Sequence, residues 1–146
     1  MTLEEIRRGI ISLLREGTEV EYITGEDVQQ AKHMPFLHVQ LVPQNYSTAA
    51  AGHHVRKEIL VDISYMEQLV TDNRSIYAML ERLDQIFRPF FRIGDRAFTC
   101  DGRPSITDDI GHYMFTMEFT ETVPYTEPDP AEHLRISWKG EQNGTA

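Results

Sequence analysis

The chain has 146 residues and a formal net charge of −9, with 40% hydrophobic and 25% charged residues. A domain of this length can bury about two thirds of the surface that its unfolded chain exposes, which is enough for one core. The acidic balance argues against tight nonspecific DNA binding, which requires many basic contacts to phosphates.

A helix is predicted at the start of the chain. Thr2 and Glu5 match the T-x-x-E capping box, in which each side chain can bond the other residue's free backbone N–H. Gly17 stands where this helix would end. Apolar residues recur between them at helical spacing: Leu3, Ile6, Ile10, Leu13 and Leu14. Residues 19–23 then predict a short strand, and residues 26–31 a helical turn.

Two strands separated by a long loop are predicted next. Residues 36–42 (FLHVQLV) and 55–66 (VRKEILVDISYM) each alternate apolar and polar side chains, as half-buried strands do. Their proximity in the chain predicts a hairpin. The twelve residues between them, PQNYSTAAAGHH (43–54), are predicted as its loop, and a loop of that length tends to be functional or mobile.

A second helix is predicted in the middle of the chain. It begins near Thr71 or Asp72, runs to Arg88 and is ended by Pro89, because proline cannot continue a helix. Its apolar face is formed by four residues at helical spacing: Ile76, Leu80, Leu83 and Phe87.

Short strands and turns follow this helix. Residues 91–100 (FRIGDRAFTC) predict a strand with a turn at Gly94-Asp95, and the Asp101-Gly102 pair is a tight-turn signal. Residues 105–107 are predicted to pair with the long strand that comes after them.

That long strand, residues 111–123 (GHYMFTMEFTETV), alternates almost without error. Its apolar side is Tyr113, Phe115, Met117, Phe119 and Val123. Its polar side is His112, Thr116, Glu118, Thr120 and Thr122. From Pro124 the chain becomes polar, and only residues 134–138 (LRISW) could pack or pair. Residues 139–146 are predicted to be a flexible tail.

The order of helix, strands, helix and strands predicts an α+β fold. We expect one domain over residues 1–138, with two layers: a mainly antiparallel sheet of four or more strands packed against two helices. No apolar run approaches the roughly 20 residues that cross a bilayer, and early charged residues argue against a signal peptide. The single cysteine excludes a disulfide framework and favours a reducing cytoplasm.

No catalytic motif is present. The glycines form neither a phosphate loop nor a G-x-S-x-G elbow. Cys100 is a weak candidate for a nucleophile because Asp101 would disfavour its thiolate. Asp108-Asp109, two adjacent acids before a glycine, predict a turn and not a catalytic carboxylate pair. The aromatic residues of the second half are predicted to be core: Phe87, Phe90, Phe91, Phe98 and Tyr113.

The histidines do not predict a metal site. His53 and His54 are adjacent, so in a strand they would point to opposite faces and chelate poorly. A zinc ion would need further ligands, such as His38 or His112. We therefore expect no catalytic residue, no cofactor and no metal.

The arrangement as a whole resembles the tail terminator proteins of tailed bacteriophages and phage-derived tail particles. The resemblance spans about Met1 to Trp138. It rests on segments that occur in order with similar spacing: MTLEEIRRGIISLLRE, PFLHVQLVP, RKEILVDISYM, NRSIYAMLERLDQIF and ITDDIGHYMFTMEFTETV. The segment LRISW and the Ala-rich loop depart from the family's pattern.

The resemblance implies structural work without a cofactor. Such subunits form a ring, typically a hexamer, that caps the head-proximal end of the tail tube, stops its polymerisation and provides a head-joining surface. Implied partners are other copies of the chain, the tail tube protein and a neck or head-completion protein. DNA only passes through the lumen, and no membrane takes part. The location would be the virion tail, after assembly in the bacterial cytoplasm.

Three groups of residues are candidates for interaction. The loop 43–54 could dock on the tube through Tyr46, Ala50, His53 and His54. A basic group, Arg88, Arg92 and Arg96, could face the acidic segment 118–132 of a neighbouring subunit. Glu118 and Glu121 could line the lumen or a subunit contact.

Two other functions remain open from the sequence. One is a head–tail completion or minor tail protein of similar fold, which stoichiometry and position in the particle would distinguish. The other is a small ligand-binding domain or enzyme, which a bound metal or small molecule in the purified protein would favour.

Overall fold

A computed structural model describes residues 1–25, 34–49, 52–67 and 72–123 of the chain. Within them it contains two helices, α1 (Leu3–Gly17) and α2 (Arg74–Phe87). The strands are β1 (Tyr22–Thr24), β2 (Phe36–Ala49), β3 (His54–Met66), β4 (Phe90–Ile93), β5 (Arg96–Thr99), β6 (Arg103–Thr107) and β7 (Ile110–Thr122).

The described strands form a five-stranded sheet in the order β1-β2-β3-β7-β6 and a separate β4-β5 hairpin. Every pair is antiparallel except β1 with β2, which is parallel. The predicted α+β class and mainly antiparallel sheet are therefore confirmed. The predictions for residues 26–31, 134–138 and 139–146, and the domain end at 138, lie outside the described residues.

Helix α1 has both ends that the sequence predicts, whereas α2 has its predicted end but begins at Arg74, two residues after Asp72. At α1 the Glu5 N–H donates to Thr2 Oγ1 at 3.1 Å, and the Thr2 N–H donates to Glu5 Oε2 at 2.6 Å, which completes the capping box. The other helix, α2, ends just before Pro89. Arg82 of α2 donates to the Gly17 carbonyl at 2.6 Å, so one helix satisfies the free C-terminal carbonyl of the other.

The core lies between the helices and one face of the sheet, here called the helix face. Odd-numbered residues of β3 and β7 form this face, and Ile59, Val61, Tyr113, Phe115 and Met117 are fully buried on it. The other face of the sheet is called the outer face. The predicted apolar side of β7 is therefore confirmed as its buried side, because the helices cover one face of the strand and leave the other uncovered.

The β4-β5 hairpin completes the cover of the helix face. Phe91 lies 5.4 Å from Phe115 and Phe98 lies 5.7 Å from Phe119, measured between ring centroids in edge-on geometry. One aromatic prediction is wrong: Phe90 is 55% exposed, because it occupies the outward position of β4 next to buried Phe91.

The prediction of a loop at 43–54 is also wrong. β2 continues through Ala49, and its residues 45–49 pair with residues 54–58 of β3. The register shifts between Pro43 and Asn45, so the extra residue of a β-bulge changes the phase of the side chains. That shift, together with exposure of nearly every residue from 42 to 48, removes the alternation from which a strand is recognised.

Two of the three predicted turns join the strands of a hairpin. The Gly94-Asp95 turn joins β4 to β5, with Gly94 at φ 58, and the Asp108-Asp109 turn joins β6 to β7 with both residues at positive φ. Asp101-Gly102 is not a hairpin turn, because the strands that it connects belong to different sheets.

Candidate assembly surface

At one end of the sheet, β2 and β7 extend beyond their outer neighbours, β1 and β6. β1 pairs only with residues 36–38 of β2, and β6 pairs only with residues 110–114 of β7. Within the described parts of the chain, β2 from 39 to 49 and β7 from 115 to 122 have no strand on their outer sides. We call this end the distal sheet: residues 42–49, 54–60 and 116–122.

The outer face of the distal sheet is polar. Glu58 and Glu118 are direct cross-strand partners, an arrangement that is destabilising for two like charges. Arg56 lies between them, with a guanidinium nitrogen 3.3 Å from Glu58 Oε1 and 2.9 Å from Glu118 Oε2. The hydrogen bond to Glu118 raises the pKa of Arg56. One cation thus serves two carboxylates on a surface that the described elements leave exposed.

The helix face of the distal sheet carries a second group of interacting side chains and charges, here called the Glu121 cluster: Met1, Tyr46, Lys57 and Glu121. The amino group of Met1 donates to Glu121 Oε1 at 2.6 Å. Lys57 Nζ lies 3.9 Å from Glu121 Oε2 and 5.1 Å from the centre of the Tyr46 ring. The amino terminus, followed by the nearby Lys57 charge, holds the pKa of the Glu121 carboxyl below its usual value.

The predicted hairpin residues lie at the distal end. Tyr46 is in β2, 48% exposed, and is the cross-strand partner of Lys57. His54 begins β3 and pairs with both Ala49 and Thr122. The His53 carbonyl accepts from the Val123 N–H at 2.8 Å. Ala50 lies outside the described residues.

The three predicted arginines do not share one role. Arg88 pairs with Asp84 one turn earlier, at the end of α2. Arg96 lies over the Phe119 ring and donates to the Thr120 carbonyl at 3.3 Å, on the unpaired side of β7. Arg92 is exposed on β4. Of the three, only Arg96 contacts the distal sheet.

Arg56 and Lys57 were not predicted from the sequence as interaction residues. The signal for them was the alternation of β3, which places Arg56 on the outer face and Lys57 on the helix face. Their partners in β7 could not be read from the sequence, because the register between β3 and β7 joins residues about 60 positions apart.

One group of side chains has the composition of a catalytic triad without its geometry. His112 Nδ1 is 3.2 Å from Ser64 Oγ and 3.1 Å from Asp62 Oδ1. A triad needs the acid on one ring nitrogen and the hydroxyl on the other, whereas both groups here share Nδ1. The three residues therefore form a cross-strand polar contact and not an activated nucleophile.

The described residues also offer no reactive thiol and no metal site. Cys100 is buried, and burial raises the pKa of its thiol, which opposes formation of a reactive thiolate. Among the described residues no group of three or more His, Cys, Asp or Glu side chains could hold a metal ion. Nor does any helix in that part of the chain have the length and hydropathy to span a membrane.

Two open clefts lie beside the sheet edge that β6 and β7 form. One, of about 400 Å³, is lined by Thr99, Asp101, Gly102, Arg103, Thr116 and Glu118. The other, of about 390 Å³, lies between α2 and β6 and is lined by Tyr77, Leu80, Glu81, Pro104, Ser105 and Ile106. The first borders the unpaired side of β7, so it belongs to the same surface as the distal sheet.

Comparison with known proteins gives one informative match. A family model described as "Phage tail terminator protein" matches residues 5–129 of the chain. Among curated proteins, none matches. One solved structure is 15% identical and covers 87% of this chain and 99% of its own length, with a TM-score of 0.43. That likeness is too distant to support a conclusion.

Proposed function

Because the chain belongs to the phage tail terminator family, it is a structural protein of the phage tail, and we propose that it forms the ring that ends the tail tube. The ring, a hexamer, sits on the head-proximal end of the tube, stops addition of tube subunits and offers a surface to a neck or head-completion protein. The observation that carries this proposal is the distal sheet, which in the described part of the chain has open edges on two opposite sides.

A closed ring requires two different, complementary patches on every subunit. Unpaired strand edges supply such patches, because their backbone N–H and C=O groups can bond another chain. The described part of this subunit has one such edge on β2 and one on β7, at the same end of the sheet and on opposite sides of β3. These positions suit contact with a neighbour on each side.

The two faces of the distal sheet suit different surroundings. The helices and the β4-β5 hairpin lie on the helix face, which would form the outside of the ring. The outer face, with Glu58 and Glu118, would line the lumen. Carboxylates there repel the phosphates of passing DNA and so keep it from binding to the wall. The end of the β2-β3 hairpin, with Tyr46, His53 and His54, would contact the tube.

The direct test is electron microscopy of particles from a strain that lacks this gene, with the wild-type gene supplied in trans as the control. We expect tubes that exceed the normal length and lack heads, and recovery of both defects on complementation. Normal-length tails without heads would instead indicate a completion protein. Ordinary infectious particles would contradict any role in tail assembly.

A further inference from the structure

The backbone groups that the β7 edge presents can be identified from one hydrogen bond. Val123 N donates to the carbonyl of His53, the residue opposite it. Antiparallel pairs alternate between bonded and non-bonded residues, so odd-numbered residues of β7 bond β3 and even-numbered residues point away. The contact from Arg96 to the Thr120 carbonyl agrees with this assignment. The outward groups of the free edge therefore belong to Thr116, Glu118, Thr120 and Thr122.

The same alternation assigns the edge of β2. Even-numbered residues of β3 turn toward β2, so their partners Val42, Asn45 and Ser47 are bonded inward. The residues paired with odd-numbered residues of β3 direct their backbone groups outward: Val39, Leu41, Pro43, Tyr46 and Thr48. Pro43 has no N–H, and its position agrees with the rule that proline in a sheet is found where the missing donor would face outward or at a bulge.

The two edges match in strand direction and in the sheet face on which their outward-bonding residues lie. β2 and β7 are both antiparallel to β3, so they run parallel to one another. Subunits related by rotation about a ring axis would therefore bring β7 of one copy and β2 of the next together in parallel. In a parallel pair, the backbone N–H and C=O of one residue bond to two residues of the neighbouring strand. These two residues flank the residue that lies directly opposite.

That pattern requires the outward-bonding residues of the two edges to lie on opposite faces of the sheet. On β7 they are the even-numbered residues of the outer face, such as Thr120. On β2 they are residues of the helix face, such as Tyr46 and Thr48, whose partners Lys57 and Val55 lie on that face. Parallel pairing thus keeps both faces continuous, whereas antiparallel pairing would not.

We propose that neighbouring copies of this chain pair the β7 edge of one with the β2 edge of the next in parallel, which joins their distal sheets into one closed sheet. This proposal rests on the ring proposed above and adds how it closes. Arg96 need not leave Thr120, because a carbonyl oxygen can accept two hydrogen bonds. The partner is a second copy of the chain, since each subunit carries both halves of the contact.

The test is thiol cross-linking in assembled tails. In a Cys100→Ser background, Ser47→Cys is combined in turn with Thr116→Cys, Glu118→Cys, Thr120→Cys or Thr122→Cys, all on the outer face. Within one subunit Ser47 and Thr120 are two strands apart, about 10 Å. A disulfide needs Cβ atoms about 4 Å apart, so any bond formed must join two copies.

We expect at least one of these pairs to give covalent dimers and higher multiples on mild oxidation. The matched control replaces Ser47→Cys by Thr48→Cys, whose side chain lies on the helix face, and should give none. A ring seen by microscopy with no cross-link for any pair would overturn edge pairing and leave the ring intact. Tails with no ring at all would overturn both proposals.

A backbone variant gives an independent readout. Thr48→Pro removes an outward N–H and spares the bonds between β2 and β3, so the subunit should keep its wild-type thermal unfolding temperature. We expect it to lose ring formation on tails. A Thr48→Pro protein that folds and still forms rings with normal occupancy would contradict pairing through this edge.

Discussion

Glu118 and Glu121 stand three positions apart in β7 and lie on opposite faces of the sheet. The Glu118 side chain is 54% exposed on the outer face and pairs with Arg56. The Glu121 side chain is 19% exposed on the helix face and accepts from the Met1 amino group. A variant that changed both carboxylates would therefore alter two unrelated sites.

Replacing Glu121 should lower stability, and replacing Glu118 should not. Glu121→Gln removes a partly buried carboxylate from between the amino terminus and Lys57, which we expect to cost about 1 kcal/mol. Glu118→Gln breaks an exposed pair with Arg56 and also relieves repulsion with Glu58, so no measurable change is expected. Urea unfolding gives the free energy of unfolding of each variant. An equal loss of stability in both would contradict the different roles assigned to Glu121 and Glu118.

The Glu121 cluster should also make stability depend on pH. The pKa of Glu121 is lower in the folded chain than its ordinary value of 4.5, so its contribution is complete above that pH. It should disappear as the pH falls through the folded pKa. Unfolding measured from pH 7 down to pH 3 should therefore show a smaller acid loss for Glu121→Gln than for wild type. Parallel curves would argue against the ion pair.

Gly102 should tolerate no side chain. A Cβ atom there would lie 1.9 Å from the hydroxyl of Tyr113, which is held in place by its hydrogen bond to Asp84 at 2.7 Å. We expect Gly102→Ala to lose about 3 kcal/mol of stability by thermal unfolding. Gly94→Asn is the matched control, because nothing lies within 4 Å and asparagine accepts φ 58. It should cost under about 1 kcal/mol.

Reversing the charge of Glu118 tests the outer face as the wall of the lumen. Glu118→Lys would place a cation beside Arg56 and attract DNA phosphates, so we expect slower DNA release from particles with normal tails. Phage DNA release on exposure to purified receptor gives the rate, with Glu118→Gln as the neutral comparison. If Glu118→Lys abolishes the ring, the residue belongs to a subunit contact.

Tyr46 tests the contact with the tube. Its ring is 48% exposed and stacks only with Lys57 among the described residues, so Tyr46→Ser should leave the fold intact. We expect fewer tubes that carry the protein, measured by quantitative mass spectrometry of purified tails, and a longer average tube. Unchanged occupancy would remove Tyr46 from the contact. Deleting residues 48–52 would be a poorer test, since it removes the end of β2.

Local sequence signals predicted the parts of the fold that depend on nearby residues. The capping box at Thr2 and Glu5 and the stop at Pro89 involve atoms within one turn of helix. The alternation of β7 predicted its buried side because neighbouring residues of a strand must face opposite ways. That alternation already places Glu118 and Glu121 on opposite faces, although both were predicted to line the lumen or a subunit contact.

The tertiary structure decided what depends on distant partners. Residues 45–49 form a strand only because β3 supplies their hydrogen bonds, and the bulge near Pro43 hides their periodicity. The contacts of Glu121 with Met1 and Lys57, and of His112 with Ser64 and Asp62, follow from a register that no local pattern contains. The sequence by itself therefore determined the helices and the buried side of β7. Long-range pairing decided the length of the hairpin and which strand edges stay open, because a backbone group is satisfied only once its partner is in place.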